Sequence, residues 1–358
     1  MSTKEHSLTR LFERFIKDTK SGKRLQANGR KIKESSIKNY QFALFYLKEF
    51  EQHQGAEIRI RSFKAHLKNE WLREKKFWQM FYLNFTGFLY KRGNYDNFVG
   101  SQVKLLKVFL KYVETEYGIY LGSFYKQFYV LKEEVEILVL MPDQLKKLIY
   151  DRGFEQQLRL RMQLVKDIFV VGATVALRYG DLINIRWTDI VQRNGAYYLY
   201  CRSEKTDTVT TVKLPAYVMN IINKYHKKRG RRRIFPDICL DNFDTLIKQL
   251  FELAGWTEPI VKTRNVRGIP QLVKPENGRS NFRFCDMATS HMMRRTAITT
   301  MLMHGVQETV VKQISGHTKG SKSFYRYIAF VQPFMDMEID KHFEKMAHTL
   351  PAEEEMYV

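Results

Sequence analysis

Apolar residues recur at helical spacing through most of the first 130 residues. In LTRLFERFIKD they fall on one face of a helix that begins at Leu8, and another such stretch begins near Ser35. Two more stretches, roughly 75–91 and 100–116, show the same period and are separated by the turn cluster KRGNYDN. No uninterrupted apolar run of about 18 residues occurs, which argues against a transmembrane helix. The pattern therefore predicts a small helical bundle.

The pattern changes after residue 130. LKEEVEILVLMPDQ, residues 131–144, is extended in character and indicates a crossing between two domains, and Pro142 offers a helix start. A long helix is predicted over about 156–173. GAYYLYCRSEKTDTVTTVKLP alternates and breaks, which predicts two strands around a turn at EKTD. The stretch 215–300 returns mainly to helices, interrupted by the loop TRNVRGIPQLVKPENGRSNFRF.

Basic residues outnumber acidic ones by 60 to 38, a formal net charge of +22. Residues 1–130 hold 25 basic and 12 acidic residues, and residues 131–327 hold 33 and 19. Only the end, 328–358, is acidic, with 2 basic and 7 acidic residues. A surplus of this size most often serves a polyanion, and nucleic acid is the first candidate.

The N-terminal sequence and the cysteines give an indication of the cellular compartment. The start, MSTKEHSLTR, lacks the apolar stretch of a secretory signal. The three cysteines show no CxxC and no metal-ligand spacing, which indicates free thiols in a reducing compartment. We therefore expect a cytoplasmic protein that does not associate with membranes.

Two short segments carry basic residues suited to binding phosphate. In VALRYGDLINIRWTDI, Arg178 follows an apolar helix and precedes a sharp turn at Gly180, although an arginine at a helix end is more often a solvated surface group. In TSHMMRRTAITTMLMHG, His291 and Arg294 lie on the same side of the first turn of a predicted helix. The free N–H groups of that turn favour an anion. His-x-x-Arg also occurs by chance in many proteins.

A third segment, VQETVVKQISGHTKGSKSFYRYI, is a predicted short helix ended by Gly316, with His317 just past it and Tyr325 and Tyr327 soon after. A lone histidine in this position is usually structural or exposed. The three segments are more specific together than alone, because they combine arginines, histidines and a tyrosine without a carboxylate pair or metal cluster. Arginine forks bind phosphate oxygens bidentately and stabilise the charge of a transition state. A tyrosine can then act as a covalent nucleophile.

These segments resemble the tyrosine recombinases of the phage-integrase family. ALRYGDL resembles the first-arginine motif, which makes Arg178 the catalytic arginine and Asp181 its acidic support. HMMRRTAITTMLMHGVQETVVKQISGH resembles the second block nearly end to end, and the spacing from Arg294 to His317 is the usual one.

The resemblance also has implications for the fold. CRSEKTDTVTTVKLP resembles the β-hairpin that carries the catalytic lysine, here Lys205. The motifs span roughly 140–330, and a looser match links the helical N-terminal part to the family's core-binding domain. The expected fold is mainly α with a small β-hairpin or sheet. A helical, SAM-like core-binding domain would occupy 1–135 and a mixed α/β DNA breaking-rejoining catalytic domain 136–327.

The chain departs from the family pattern at two positions. The residue after the second arginine is commonly histidine, and here Arg295 stands there, which we expect to alter packing rather than chemistry. The nucleophilic tyrosine usually lies nine residues beyond the second histidine, but that position is Arg326. An extra residue in the TKGS turn would align KSFYRYI with the family's ending. This alignment favours Tyr327 as the nucleophile, with Tyr325 as the alternative.

The resemblance implies a site-specific DNA recombinase, such as the integrase of a mobile genetic element, that needs no metal, ATP or other cofactor. Tyr327 would attack the scissile phosphate and form a 3′-phosphotyrosyl bond. Arg178, Arg294 and His317 would hold the non-bridging oxygens.

Two further side chains would handle protons. His291 would assist proton transfer at the nucleophile, and Lys205 would protonate the leaving 5′-oxygen. The implied partners are double-stranded DNA, a homotetramer on paired recombination sites and accessory DNA-bending proteins.

The acidic tail, 328–358, reads as a helix that begins after Pro333. In the family such a helix docks on a neighbouring protomer, and packing within the same chain is the alternative. Its apolar side would comprise Phe334, Met337, Ile339 and Phe343.

Two other functions share part of this evidence. A type IB topoisomerase uses the same Arg, Lys, His and Tyr chemistry to relax supercoils without strand exchange. A DNA-binding regulator with a decayed active site would lack a member of the catalytic set, and none is missing from the sequence.

Overall fold

The structure is a computed structural model that describes residues 5–64, 66–204, 207–226, 232–317 and 320–349. The chain divides into two compact units. The first unit comprises the chain up to Val135 together with Lys262–Val273, and the second comprises Glu136–Val261 and the chain from Lys274 onward.

Helices dominate the described part of the chain, and this confirms the expected fold class, mainly α with a small β-hairpin or sheet. The α-helices are α1 (Leu8–Lys20), α2 (Glu34–Gln54), α3 (Lys68–Lys91), α4 (Asp96–Tyr117), α5 (Pro142–Tyr150), α6 (Arg152–Gln157), α7 (Leu160–Val175), α8 (Tyr179–Ile183), α9 (Ala216–Asn223), α10 (Leu240–Leu253), α11 (Ser290–Met303), α12 (Glu308–Ser315) and α13 (Lys322–Thr349). Short 3₁₀ helices cover Phe124–Gln127, Trp187–Asp189 and Phe284–Met287.

The strands are short and pair antiparallel in four small sheets, ordered β1-β2, β3-β4-β5, β6-β9 and β7-β8. They are β1 (Glu5–Ser7), β2 (Arg59–Arg61), β3 (Ile190–Arg193), β4 (Ala196–Arg202), β5 (Val209–Leu214), β6 (Pro259–Ile260), β7 (Lys262–Val266), β8 (Ile269–Val273) and β9 (Phe282–Arg283).

The first unit packs α1–α4 around an aromatic core. The Ser7 side chain caps α1 by accepting a hydrogen bond from the backbone N–H of Arg10. Phe12 of α1 is fully buried against Phe109 of α4, with ring centroids 4.3 Å apart. Apolar periodicity predicted all four helices, although α3 and α4 begin several residues earlier than expected.

The segment predicted as a loop after residue 261 contains the β7-β8 hairpin, which the structure groups with the first unit. Its two-residue turn places Arg267 and Gly268 at φ of 55° and 79°, the left-handed region that a tight hairpin turn requires. The buried carboxylate of Asp96 accepts hydrogen bonds from both turn N–H groups, at 2.7 and 2.8 Å. The buried carboxylate of Glu133 pairs with Arg264 of β7 at 2.6 Å. The sequence-based domain bounds did not separate this hairpin from 136–327.

The second unit is built on α7, which is buried along most of its length. Helix α11 packs against α7, and a Cβ added at Gly172 would lie 2.7 Å from Sδ of Met293. The predicted pair of strands around EKTD is present as β4 and β5, and β3 pairs with the other edge of β4. Helix α5 begins at Pro142, as its position at the first helical turn predicts.

The predicted start of the tail helix is wrong. Helix α13 begins at Lys322, before both candidate tyrosines, and continues through position 333. Its first part buries Phe324, Tyr327 and Val331 in a cluster shared with α11. This packing outweighs the hydrogen bond that a proline removes from a helix interior.

Candidate active site

Arg178 stands where two helices of the second unit meet. Helix α7 ends at Ala176, which has a φ of 57°, and Arg178 is the N-cap residue of α8. The Arg178 Nη1 donates a hydrogen bond to Oγ of Ser203, 3.1 Å away, just after β4. The half-buried guanidinium is thus held beside the hairpin that was expected to carry the lysine.

Arg294 is the most buried charged group of the site, with 3% of its surface exposed. Its Nη1 donates to the carbonyl oxygen of Ala176 at 2.8 Å, which ties α11 to the end of α7. Burial, followed by repulsion from Arg178, lowers the pKa of Arg294 to about 10. The guanidinium therefore stays charged at neutral pH, with its Nη2 directed at His317.

His317 follows α12 directly. The helix ends at Gly316, whose φ of 61° satisfies the left-handed C-terminal position of a helix. Ser315 Oγ lies 2.7 Å from Nδ1 of His317. Burial lowers the pKa of His317 to about 4, with further lowering by the charges of Arg294 and Arg178. The imidazole is therefore neutral at neutral pH.

The two candidate tyrosines lie in different environments. Tyr327 is 6% exposed and its ring centroid is 6.1 Å from that of His317. Tyr325 is 55% exposed and lies over Lys312, whose Nζ is 5.2 Å from its ring centroid. Residues two apart on a helix point to opposite sides. The structure thus brings Tyr327 together with the histidine and leaves Tyr325 on the surface.

The remaining predicted residues are less tightly placed. Asp181 accepts a hydrogen bond from the backbone N–H of Glu204 at 2.9 Å, and its charge also acts on Arg294. His291 is exposed in the first turn of α11, and its charge acts on His317. Lys205 lies outside the described residues.

Two residues beside this group were not among the predicted site residues. Arg295 interacts with the Tyr327 hydroxyl, which partly offsets the lowering of the Arg295 pKa by burial. Ser315 is fully enclosed beside His317. The second consecutive arginine on α11 was expected to alter packing only, and a serine in the last turn of a helix, as in α12, is too common to stand out.

The described residues show no group of three or more His, Cys, Asp or Glu side chains that could hold a metal ion. Within the same described ranges, no helix is long and apolar enough to cross a membrane. The group of Arg178, Arg294, His317 and Tyr327 combines fixed positive charge, a neutral imidazole and a phenol. Such a group can bind an oxyanion and direct a nucleophile at it.

Residues 139–331, more than half of the chain, match the model of the Phage integrase family. No curated protein matches the chain. Solved structures similar to it include the XerH site-specific recombinase bound to palindromic difH substrate in a post-cleavage complex, with a TM-score of 0.58 and 13% identity over 92% of this chain and 84% of that one.

Two other solved structures are similar to the same extent. A lambda integrase dimer bound to a COC′ core site gives a TM-score of 0.60 and 13% identity, over 90% of this chain and 77% of that one. The Tn1549 transposon integrase in complex with circular intermediate DNA gives 0.57 and 14%, over 90% and 94%. At such low identity these likenesses show the fold alone.

Proposed function

The chain belongs to the phage integrase family, and from this we propose that it is a site-specific DNA recombinase. It cuts duplex DNA through a 3′-phosphotyrosyl intermediate and rejoins the strands to a partner duplex. The energy of the broken phosphodiester is kept in the tyrosyl ester, so the reaction needs no ATP.

One observation supports this function above the others: the placement of Arg294. The buried guanidinium contacts the carbonyl at the end of α7 and faces His317, and Arg178 and Tyr327 both influence its pKa. A phosphodiester bound here would meet two guanidinium groups and a phenol. A fixed cluster of donors is most effective where charge develops during the reaction.

The two arginines repel each other, and this repulsion contributes to the lowered pKa of Arg294. A bound phosphate relieves that repulsion, so the site favours an anion. Arg178 and Arg294 hold the two non-bridging oxygens of the scissile phosphate and stabilise the pentacovalent transition state.

The cleavage step transfers one phosphoryl group. The Tyr327 oxygen forms a bond to phosphorus, and the bond from phosphorus to the 5′-oxygen breaks. The phenol loses its proton to a histidine of the site, and the leaving oxygen gains one from Lys205. In rejoining, the 5′-hydroxyl of the partner duplex attacks the tyrosyl ester and the same groups act in reverse.

The partners follow from this reaction. The helical part of the first unit serves as the core-binding domain over 1–135, the catalytic domain covers 136–327, and four copies act on two paired sites in the cytoplasm. The apolar side of α13 beyond Val331 supports docking of this helix on a neighbouring protomer, because the apolar side chains described there are exposed. These are Met335, Ile339, Phe343 and Met346.

A strand-exchange assay with two labelled duplexes separates the three candidate activities. A recombinase joins strands from different duplexes, in the presence of a chelator and without ATP. A type IB topoisomerase relaxes a supercoiled plasmid but leaves the duplexes unexchanged. A DNA-binding protein retains both substrates unchanged, and this result would contradict the proposal.

A further inference from the structure

Tyr327 lies where α13 packs on α11. It belongs to a buried cluster that also contains Ala297, Ile298 and Leu302 of α11, and only 6% of the residue is exposed. The side chain of Arg295, also on α11, makes a hydrogen bond with the Tyr327 hydroxyl. The oxygen that would attack the phosphate is therefore in contact with a guanidinium.

The donors and acceptors fix the direction of this hydrogen bond. A guanidinium only donates, so the Tyr327 oxygen must accept. The phenol's own proton then points away from Arg295 and is available to a base. Loss of that proton keeps the contact and strengthens it, because the guanidinium then faces a full negative charge. Arg295 thus stabilises the phenolate more than the phenol.

No carboxylate of the described residues balances the charge of Arg295. The groups that act on this charge are Tyr327 and Arg326. Burial lowers the pKa of Arg295, and repulsion from Arg326 lowers it further. Arg283 of β9, by contrast, pairs with Asp286 at 3.0 Å. A half-buried guanidinium without a counter-ion is stabilised when a negative charge forms beside it, and the Tyr327 oxygen is where such a charge would form.

Arg295 follows directly after the arginine that would bind the phosphate. Arg294 is held by its hydrogen bond of 2.8 Å to the Ala176 carbonyl and faces His317. Consecutive side chains on an α-helix point about 100° apart. The two arginines therefore serve different groups, since Arg294 faces the histidine and Arg295 contacts the tyrosine on α13.

We propose that Arg295 is a further catalytic residue, whose guanidinium donates to the Tyr327 oxygen and stabilises the negative charge that develops there when the tyrosine attacks and when it leaves. This inference rests on the proposed function. It gives Arg295 a chemical role where the sequence predicted a change of packing.

The proposed role adds no proton to the balance of the reaction. In cleavage the Tyr327 oxygen gives its proton to a histidine of the site and bonds to phosphorus, while the 5′-oxygen leaves with a proton from Lys205. Arg295 neither gains nor loses a proton, because a guanidinium keeps its charge. In rejoining, the bond from phosphorus to the Tyr327 oxygen breaks, and Arg295 stabilises the phenolate until it regains its proton. Loss of Arg295 should therefore slow both directions.

Single-turnover cleavage of a nicked duplex, at saturating DNA, tests this role in the full-length protein. Arg295→Gln should cleave about 10- to 100-fold more slowly than the wild-type protein, the effect of removing a hydrogen bond to a charged group. Its affinity for DNA should be unchanged. It should also unfold at the same temperature or a higher one, because a half-buried cation without a counter-ion has been removed. Arg295→Lys keeps the charge without the planar fork, and its rate should lie between the two.

A more acidic nucleophile separates stabilisation of charge from packing. Difluorotyrosine in place of Tyr327 has nearly the same shape, and its phenolate needs less stabilisation. The difference in cleavage rate between the wild-type and Arg295→Gln backgrounds should therefore become smaller with this nucleophile. A difference that is the same with either nucleophile would show that Arg295 acts through packing, and would overturn the inference.

Arg326→Gln is the matched control, because it removes the same charge from the residue next to Tyr327. Its single-turnover rate at saturating DNA should equal that of the wild-type protein. An equal loss of rate in Arg326→Gln and Arg295→Gln would indicate a general effect of charge and contradict the inference. So would an Arg295→Gln protein that binds DNA more weakly but cleaves at the wild-type rate. A wild-type protein that forms no covalent complex would instead contradict the proposed function, and the inference with it.

Discussion

The protonation state of His317 depends on its burial and on the charges around it. His317 is surrounded by positively charged and titratable groups from several elements: Arg294 and His291 on α11, Arg178 before α8 and Lys312 on α12. The imidazole is half-buried and packs edge-on against Phe324, with ring centroids 5.3 Å apart. Burial, together with the charges of the same arginines that would bind the phosphate, therefore keeps the histidine neutral.

This arrangement predicts the titration of His317 in the protein without DNA. Its pKa should be near 4, well below the ordinary histidine value of about 6.5. Because the folded-state pKa is lower than the unfolded one, the contribution of His317 to stability is complete above about pH 6.5 and is lost as the pH falls toward 4. Replacing Arg294 with Gln should raise the pKa.

The measurement is a pH titration of the His317 ring signals. The pKa should also rise when duplex DNA is bound, because the phosphate offsets the arginine charges. A wild-type His317 that titrates at the ordinary value would contradict the account.

Gly316 gives a second prediction at this scale. Its φ is +61°, and an added Cβ would lie 2.9 Å from Oγ1 of Thr208, next to β5. Gly305 ends α11 at a φ of +74° with no atom within 4 Å of the added Cβ. Alanine should therefore cost about 1–2 kcal/mol of backbone strain at both positions. Only at Gly316 should it also displace His317.

The readouts are thermal unfolding and the cleavage rate. Both variants should lose stability, Gly316→Ala by at least as much as Gly305→Ala, whereas only Gly316→Ala should lose cleavage. Equal cleavage by the two variants would show that close packing of Gly316 on Thr208 does not matter for His317.

The sequence identified most members of the candidate site because their spacing along the chain is itself informative. Arg178, Arg294 and His317 could be named without coordinates. The choice between the tyrosines depended on a one-residue shift in a turn, and burial of Tyr327 beside His317 now favours the same choice. Ser315 could not be found this way, because its contact with Nδ1 of His317 depends on the folded end of α12.

At the scale of elements, close backbone contacts decide where helices and segments pack. In the first unit, the segment 131–133 packs on α4. Reciprocal hydrogen bonds of 3.1 Å between Asn97 of α4 and Glu133 hold it there. Gly100 lies beneath this segment, and an added Cβ would be only 1.9 Å from the carbonyl oxygen of Leu131. The glycine is there because the backbone of another segment occupies the space of a side chain.

Gly100→Ala should therefore destabilise the first unit by about 1–3 kcal/mol or more, since a backbone carbonyl must move. Gly87→Ala on α3 is the matched control. There the added Cβ would only touch Nη2 of Arg267 at 3.6 Å. The Gly87→Ala variant should be as stable as the wild-type protein or more stable by up to about 1 kcal/mol, because alanine is preferred to glycine in a helix interior.

Urea unfolding, with hydrogen exchange of the α4 amides to localise the effect, measures both changes. Faster exchange in α4 is expected for Gly100→Ala alone. Similar exchange in the two variants would mean that the backbone at Leu131 moves aside at little cost, and would contradict the prediction.

Elements with strong apolar periodicity were predicted well, and those fixed by distant partners were not. The β7-β8 hairpin turns at Arg-Gly, which is a weaker signal than Asn-Gly, and its anchors Asp96 and Glu133 lie far away in the sequence. The start of α13 was misjudged because Pro333 is normally a sign of a helix boundary. Packing of Phe324 and Tyr327 on α11 extends the helix on the other side.

At the scale of the whole molecule, charge is the main property. The net charge of +22 is shared by both main parts of the chain, and only the last 31 residues are acidic. Charge of this kind attracts the phosphate backbone irrespective of sequence, and base contacts then select the site. The domain roles proposed above rely on this distribution together with the family membership.

The affinity for duplex DNA should consequently depend steeply on salt. Between 50 and 200 mM salt we expect a loss of about 10³-fold or more, the range for a protein that contacts several phosphates. Filter binding or fluorescence anisotropy across that range measures it. Tyr327→Phe should show the same slope, because a phenol contributes no charge to binding. An affinity that barely changes with salt would contradict a phosphate-based mode of binding.

The most direct test of the central claim is the identity of the residue that becomes linked to DNA. The protein is incubated with a nicked duplex that loses a short strand after cleavage, and the trapped complex is digested and analysed by mass spectrometry. We predict the nucleotide on Tyr327, no adduct in Tyr327→Phe and an undiminished adduct in Tyr325→Phe. A nucleotide on Tyr325, or an adduct that survives in Tyr327→Phe, would contradict the account.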